Sequence, residues 1–328
     1  MDFFLYSKIG QMVLALLAFA AVVAVLMLGA RVADRVAGRT RNLWALLVFA
    51  GPALLLLGVG LIYPAGRTIV MSFMDRRSEE WVALDNYAWV LNNPESLRAF
   101  INTFWWVILT PLVATVVGLL YAILIDGKRF EKVAKSLLFM PMAISFVGAG
   151  IIWKFVYEYR GAAQDQIGLL NAVLVAVGLE PVRFLQDGPW NTFFLIFVMI
   201  WVQAGFAMVL LSAAIKAIPT DIVEAARLDG VSPWQMFRSI TVPSIRPTLV
   251  VVVTTISIAT LKIFDITRTM TGARFGTQVL ANQMYDQSFT FGNNGIGSAT
   301  AVVIFVLVIP IIVYNVRQML RNREVRGA

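Results

Sequence analysis

The side chains that usually do chemistry are sparse in this chain, and two kinds are missing altogether. There is no histidine and no cysteine in 328 residues, so imidazole bases, thiol nucleophiles, disulfides and the common zinc sites are excluded. There is also no G-x-x-x-x-G-K-[ST] loop to cradle nucleotide phosphates. The nearest fragment, Gly127-Lys128-Arg129, lacks the first glycine and the hydroxyl residue. Within the apolar segments two polar groupings remain. In TLKIFDITR, residues Lys262, Asp265 and Arg268 follow one another at i, i+3 spacing, which allows a neutralising ladder down one side of a helix. One carboxylate between two cations stays ionised, which argues against a proton relay. The second grouping is Gln203, on one helical face with Met199, Phe206 and Leu210. An amide beside an aromatic ring can cradle a pyranose, hydroxyls at its rim and C–H groups on its face. The same amide can equally hydrogen-bond another helix as packing glue. No converging acids, bases or metal ligands suggest covalent catalysis, so the chain reads as a non-enzyme.

The elements that position these groups follow from composition. With 59% hydrophobic and 14% charged residues, the chain reads as an all-α polytopic membrane protein. Seven segments are long and apolar enough to span: Ile9–Ala30, Leu43–Gly66, Ile101–Ile125, Ser136–Val156, Asn191–Ile215, Thr248–Thr267 and Gly297–Val316. The first is too long for a signal-peptide core and reads as a retained span. The connections 31–42, 126–135, 216–247 and 317–328 hold 16 basic and 7 acidic residues, against 9 and 11 in the alternate set. By the positive-inside rule the first set is cytoplasmic, which puts the N-terminus outside and the C-terminus inside. The net charge of +8 then reflects topology and anionic-lipid contact rather than nucleic-acid binding. The external GLLNAVLVAVGL, Gly168–Leu179, is too short to span and is predicted to be a helix at the membrane interface or packed on the spans.

One cytoplasmic stretch is unlike a simple connector. EAARLDGVSPWQMFRSITVP, Glu224 to Pro243, carries four charges and two prolines between two apolar runs. Asp221 is placed to cap a first helix, with Glu224 at the capping-box position, and Gly230 supplies the left-handed residue that ends it. Ser232 caps a second helix, with Pro233 in its first turn and Gln235 at the box position, and Pro243 is expected to stop it. The prediction is a rigid elbow. Ala225 and Ala226 permit close approach by a partner surface, and Glu224, Arg227 and Asp229 can set its register.

The order E-A-A, a glycine four residues after the second alanine, then nine residues to Ile240-Thr241-Val242-Pro243, resembles the signature cytoplasmic loop of permease subunits of binding-protein-dependent ABC importers. That family usually ends the motif I-x-L-P. Lys216-Ala217-Ile218-Pro219, Phe264-Asp265 with Thr271-Gly272, and Leu84-Asp85-Asn86-Tyr87 resemble its sugar-permease branch, which includes the maltose and alpha-glucoside transporters. Thr260 to Asp265, Thr271-Gly272-Ala273-Arg274 and Gly276 to Asn282 are most similar to the alpha-glucoside permeases.

The resemblance implies a six-helix permease core over 43–328, preceded by an extra N-terminal span and linker over 1–42, in a bacterial inner membrane. It implies that the loop 216–247 docks a coupling helix on an ATP-binding partner through Glu224, Ala225, Ala226, Arg227, Asp229, Gly230, Ile240 and Pro243. It places Met199, Val202, Gln203, Phe206, Thr260 and Ile263 along a sugar pocket. The implied partners are a second homologous permease, two ATP-binding subunits that hold ATP and magnesium, and an extracytoplasmic sugar-binding protein; no cofactor is expected in this chain. The expected cargo is a small oligosaccharide, an alpha-glucoside disaccharide such as maltose or trehalose, moved by alternating access. An ion-coupled secondary sugar carrier is the rival reading, although it needs no stiff cytoplasmic elbow.

Overall fold

The computed structural model describes residues 7–35, 41–161 and 164–326. Regular structure among them is helical, with no strand beyond one isolated bridge between Met74 and Trp81, as the all-α reading requires. Of the expected linker at 31–42, residues 31–35 end one helix and 41–42 begin the next, while 36–40 lie outside the described residues. The chain forms two units, residues 1–68 and 69–328.

In the first unit, α1 (Lys8–Arg35) carries the first predicted span and packs with α2 (Arg41–Leu57). A π-helical turn, Gly58–Ile62, leads from α2 into α3 (Tyr63–Met71). Leu54, Leu55, Leu56 and Leu61 are all exposed, a surface suited to hydrocarbon rather than water.

The second unit opens with α4 (Asp85–Asn92) and α5 (Pro94–Ile125). Asn93 caps α5 by accepting from the Glu95 and Ser96 amides, and Pro94 occupies the first turn, where its missing N–H costs nothing. At 32 residues α5 is about 48 Å long. It lies against α9 (Trp190–Lys216) and α12 (Val242–Leu261). Their shared core holds Trp106, Leu195 and Met199 toward one end and Ala114, Met208 and Ile256 toward the other. The last long helix, α15 (Asn294–Arg326), packs on α4, α12 and a short α14 (Leu280–Tyr285). Predicted spans three, five and seven lie within α5, α9 and α15.

Two predicted spans are broken. Ser136–Val156 was expected as one helix. Instead α6 (Glu131–Phe139) runs into a 3₁₀ turn, Met140–Ala143, and α7 (Phe146–Val156) leaves at 103°. Pro141 cannot donate to the ladder, and Ser145 starts the new helix by accepting from the Gly148 amide. The sixth predicted span, Thr248–Thr267, ends early: α12 stops at Leu261 and α13 (Asp265–Thr271) begins after a three-residue break. Five helices among the described residues are long and apolar enough to cross a membrane, and α6 with α7 makes a sixth if the bent pair counts as one. The short helix expected over Gly168–Leu179 is present as α8 (Leu169–Ala176). Asn171 pins it by donating to the Glu158 and Val182 carbonyls and accepting from the Val182 amide, which leaves Leu169 and Val173 exposed.

Candidate functional site

The predicted elbow is present, with two changes from its expected capping. Its first helix, α10 (Thr220–Leu228), starts after Pro219, so Asp221 lies in the first turn instead of capping it. There a carboxylate still interacts favourably with the helix dipole. The helix ends as expected. Gly230 has φ of +74°, and the Val231 amide reaches back to the Ala226 carbonyl at 3.2 Å, a closure that a Cβ would strain. Ser232 and Gln235 form a reciprocal capping box at 3.3 and 2.9 Å. Pro243, expected to stop the second helix, does not. The turn α11 (Pro233–Gln235) widens into a π-helix over Met236–Thr241 and passes directly into α12. The Val242 amide bonds the Phe237 carbonyl five residues back, and this wider turn accommodates the proline ring and its missing donor.

Ala226 is buried at the inner side of the elbow, while Glu224, Ala225, Arg227, Asp229 and Gly230 are exposed. Glu224, Arg227 and Asp229 form no ion pair with any described residue. Leu228 is 88% exposed and Trp234 66%, with the Trp234 and Phe237 rings 5.4 Å apart. Ile240 is half-buried and Pro243 exposed. The elbow therefore shows large apolar groups and uncommitted charges on one stiff element, the composition of a docking surface. Sequence reasoning missed Leu228 and Trp234, although both stand in the quoted stretch between charged or turn-forming neighbours.

The predicted sugar-facing residues are placed differently. Met199, Val202 and Ile263 come together, but as packed core with Trp106, Leu195 and Ile266 rather than as the wall of an opening. The Thr260 hydroxyl is fully buried and donates to the Ile256 carbonyl at 2.7 Å. The inner helix α9 is covered by α5, α6 and α12 of the same chain, so its apolar face meets neighbours before any ligand. Phe206 is half-buried. Gln203 is buried, and its amide has no hydrogen-bond partner among the described residues.

The charge ladder is also corrected. The break at 262–264 separates Lys262, which is exposed, from Asp265 and Arg268 on α13. Arg268 turns to Asp286, Nη1 to Oδ1 at 2.9 Å, and lies over the Tyr285 ring at 5.4 Å. Asp265 takes the first turn of α13, where the dipole favours it.

Arg268 and Asp286 line a cavity of about 900 Å³ together with Lys154, Glu158, Arg183 and Arg274. Lys154 and Glu158 stand four residues apart beside Tyr157, a spacing that puts them on a shared polar face. Tyr157 is 3% exposed and its hydroxyl donates to the Phe194 carbonyl at 3.3 Å; burial pushes its phenol well above the usual range. The loop that forms the far wall is held from the helices. Asn191 donates to the Phe275 carbonyl at 2.8 Å, and Asn102 donates to the Gly276 and Gln278 carbonyls at 2.7 and 2.8 Å.

Residues 114–326 match the family described as binding-protein-dependent transport system inner membrane component. The chain belongs to that family. Its membership makes it a multi-pass membrane component of a transport system. It is 46% identical over 279 residues, 85% of this chain and 100% of the relative, to the osmoprotective compounds uptake permease protein GgtC of Synechocystis sp.. It is 47% identical over 276 residues, 84% of this chain and 82% of the relative, to the alpha-glucoside transport system permease protein AglF of Rhizobium meliloti. Its fold resembles a chain of a bacterial ABC transporter that imports the acidic polysaccharide alginate, with a TM-score of 0.74 at 24% identity over 86% of this chain and 97% of that one.

Proposed function

We propose that this chain is the membrane-spanning permease of an ATP-driven, binding-protein-dependent importer, and that its cargo is a small alpha-glucoside such as maltose or trehalose. The observation that carries this reading is the elbow: a stiff two-helix loop between spans that presents Leu228 and Trp234 on its exposed surface. A water-facing surface of that kind is stabilised when a partner covers it. The partner in this reading is an ATP-binding subunit, and closure of two such subunits pushes on the elbow and its counterpart in a second permease. The spans then alternate between inward and outward packings. The excess of Lys and Arg in the connections that include 216–247 supports a cytoplasmic elbow, an outer N-terminus and an inner C-terminus.

The sugar class rests on the likeness to AglF and on the chemistry of Gln203 and Phe206. An amide without a hydrogen-bond partner among the described residues can bond a sugar hydroxyl, and the Phe206 ring one turn on offers a face to its C–H groups. The cavity bounded by Lys154, Glu158, Arg268 and Asp286 serves in this reading as the outer vestibule, open to a docked binding protein.

The test compares the reconstituted complex with its Leu228→Glu variant, following co-purification of the ATP-binding subunit, stimulated ATP hydrolysis and uptake of labelled maltose and trehalose. The reading expects the variant chain to insert but to lose partner binding or stimulated hydrolysis, and uptake with it. Unchanged hydrolysis and uptake would remove the elbow from the mechanism.

A further inference from the structure

The connection just before the elbow carries a charge network that the reading so far leaves unused. Glu131 opens α6, the first leg of the bent pair. One carboxylate oxygen receives Lys135 Nζ at 2.7 Å and Lys216 Nζ at 2.5 Å, and the other accepts from the Gly127 amide at 3.0 Å. Lys216 also reaches Asp126 at 3.4 Å, and Lys135 bonds the buried Ser212 hydroxyl. The network joins three separate pieces of chain: the end of α5, the start of α6 and the last turn of α9. The Glu131 side chain is 18% exposed and that of Lys216 51%, so solvent partly screens the pair and its strength alone is modest.

The position of Lys216 gives the network its meaning. It is the final residue of α9, and α10 of the elbow begins four residues later. The link between them has little freedom: the Ala217 amide bonds the Ala213 carbonyl, Ile218 bonds Ile215, and Pro219 fixes its own φ. A push on α10 therefore arrives at Lys216. From Glu131 the path continues along α6 to the bend and into α7, where Gly150 lies 3.1 Å, measured from an ideal Cβ, from Thr269 of α13. Both α7 and α13 border the outer cavity, through Lys154 and through Arg268.

We propose that the Glu131–Lys216 pair is a positioning contact that ties the elbow to the bent helix pair, so that movement of α10 reaches the outer cavity wall. The proposal rests on the import reading above. It requires that losing either side chain lowers the sugar imported per ATP through the same contact, an effect that a merely stabilising pair does not have.

The experiment measures labelled maltose or trehalose imported per ATP hydrolysed in the reconstituted complex with loaded binding protein. Glu131→Gln and Lys216→Met are each expected to lower that ratio about fivefold or more, within the usual span of coupling between sites. The double variant falls no further than the worse single, and Lys216→Arg, which keeps the charge, retains the ratio. Unchanged ratios in both singles would overturn the proposal, as would a double variant that loses the product of the single effects. If Glu131→Gln and Lys216→Met fail to co-purify with the partner subunits while Lys216→Arg succeeds, the pair serves assembly and the proposal is likewise wrong. A native complex that neither hydrolyses ATP on stimulation nor imports sugar is a separate result, and it would refute the import reading itself.

Discussion

Gly205 offers a direct test of how α9 and α6 are joined. A Cβ built on Gly205 would lie 2.4 Å from the Leu138 carbonyl oxygen and 2.9 Å from the Phe139 Cα. Carbon-to-oxygen contacts ordinarily close to about 3.3–3.6 Å, so Gly205→Ala must part the two backbones by about 1 Å. The obstructing atoms are main chain and cannot swing aside as a flexible side chain would. Overpacking of this kind costs about 1–3 kcal/mol, and the rigid contact argues for the upper end. Alanine recovers about 1 kcal/mol through its better helix propensity, leaving a net loss of about 2 kcal/mol. For a unit of this size that corresponds to a fall in apparent melting temperature of about 4–8 °C. The assay is tryptophan-fluorescence melting of the purified chain in detergent, with Gly51→Ala as control, since nothing lies within 4 Å of a Cβ there. The control is expected to melt at or slightly above the native temperature. If Gly205→Ala melts within about a degree of native, the helices are not in backbone contact and the argument from close approach fails.

Three further outcomes follow from particular bonds. Asn102→Ala leaves the Gly276 and Gln278 carbonyls without their donor; the expected cost is about 1–3 kcal/mol, seen as lower thermal stability and faster amide exchange across 276–278. Ser232→Ala removes half of the capping box at about 1 kcal/mol of local stability, read as faster proteolytic nicking of the elbow in inverted vesicles. The Asp75 carboxyl is held below its ordinary pKa, chiefly by the Glu79 amide and then by that of Glu80. A carboxylate depressed in the folded state contributes stability above its unfolded pKa and loses it as pH falls through the folded value. Protection of the Glu79 and Glu80 amides, corrected for intrinsic exchange, is therefore expected to fall only below about pH 4, which exchange mass spectrometry of that turn can check.

What could be read from the sequence was what its own neighbourhood decides. The capping box at Ser232 and Gln235 and the left-handed Gly230 depend on residues within one turn, and both are present. Pro141 was a readable warning in the fourth span, since a proline in the middle of an apolar helix marks a kink. The break after Leu261 carried no such sign. TLKIFDITR has neither proline nor glycine, and the bonds that settle the break come from far along the chain: Asn282 donates to the Phe264 carbonyl at 3.4 Å and accepts from Thr267 Oγ1 at 2.6 Å. The partner of Arg268 is likewise 18 residues distant. The face of α9 bearing Met199 and Gln203 is legible as a face, but its covering by three helices of the same chain is a tertiary fact that periodicity does not contain.

The two breaks also say something about how the second unit divides its work. Irregular backbone within a membrane span is tolerated only where its polar groups are satisfied by protein or water. Here the Ile144 amide bonds Pro141, the Ile263 amide bonds Thr260, and Phe264 is served by Asn282 and Thr267. Both segments beyond the breaks, α7 and α13, face the same cavity, and both also anchor in the core, with Ala149, Ile266 and Met270 buried beside Leu195 and Met199 of α9. A half-length helix on a satisfied break can tilt by changing a few dihedral angles, while a long helix such as α5 must move as a whole. The unit thus combines long unbroken helices with a cavity wall of short pieces that are set off by satisfied breaks and rooted in the same core. In the import reading, that wall is the part whose position the elbow has to control, and Glu131 stands at the start of the only bent pair that leads to it among the described residues.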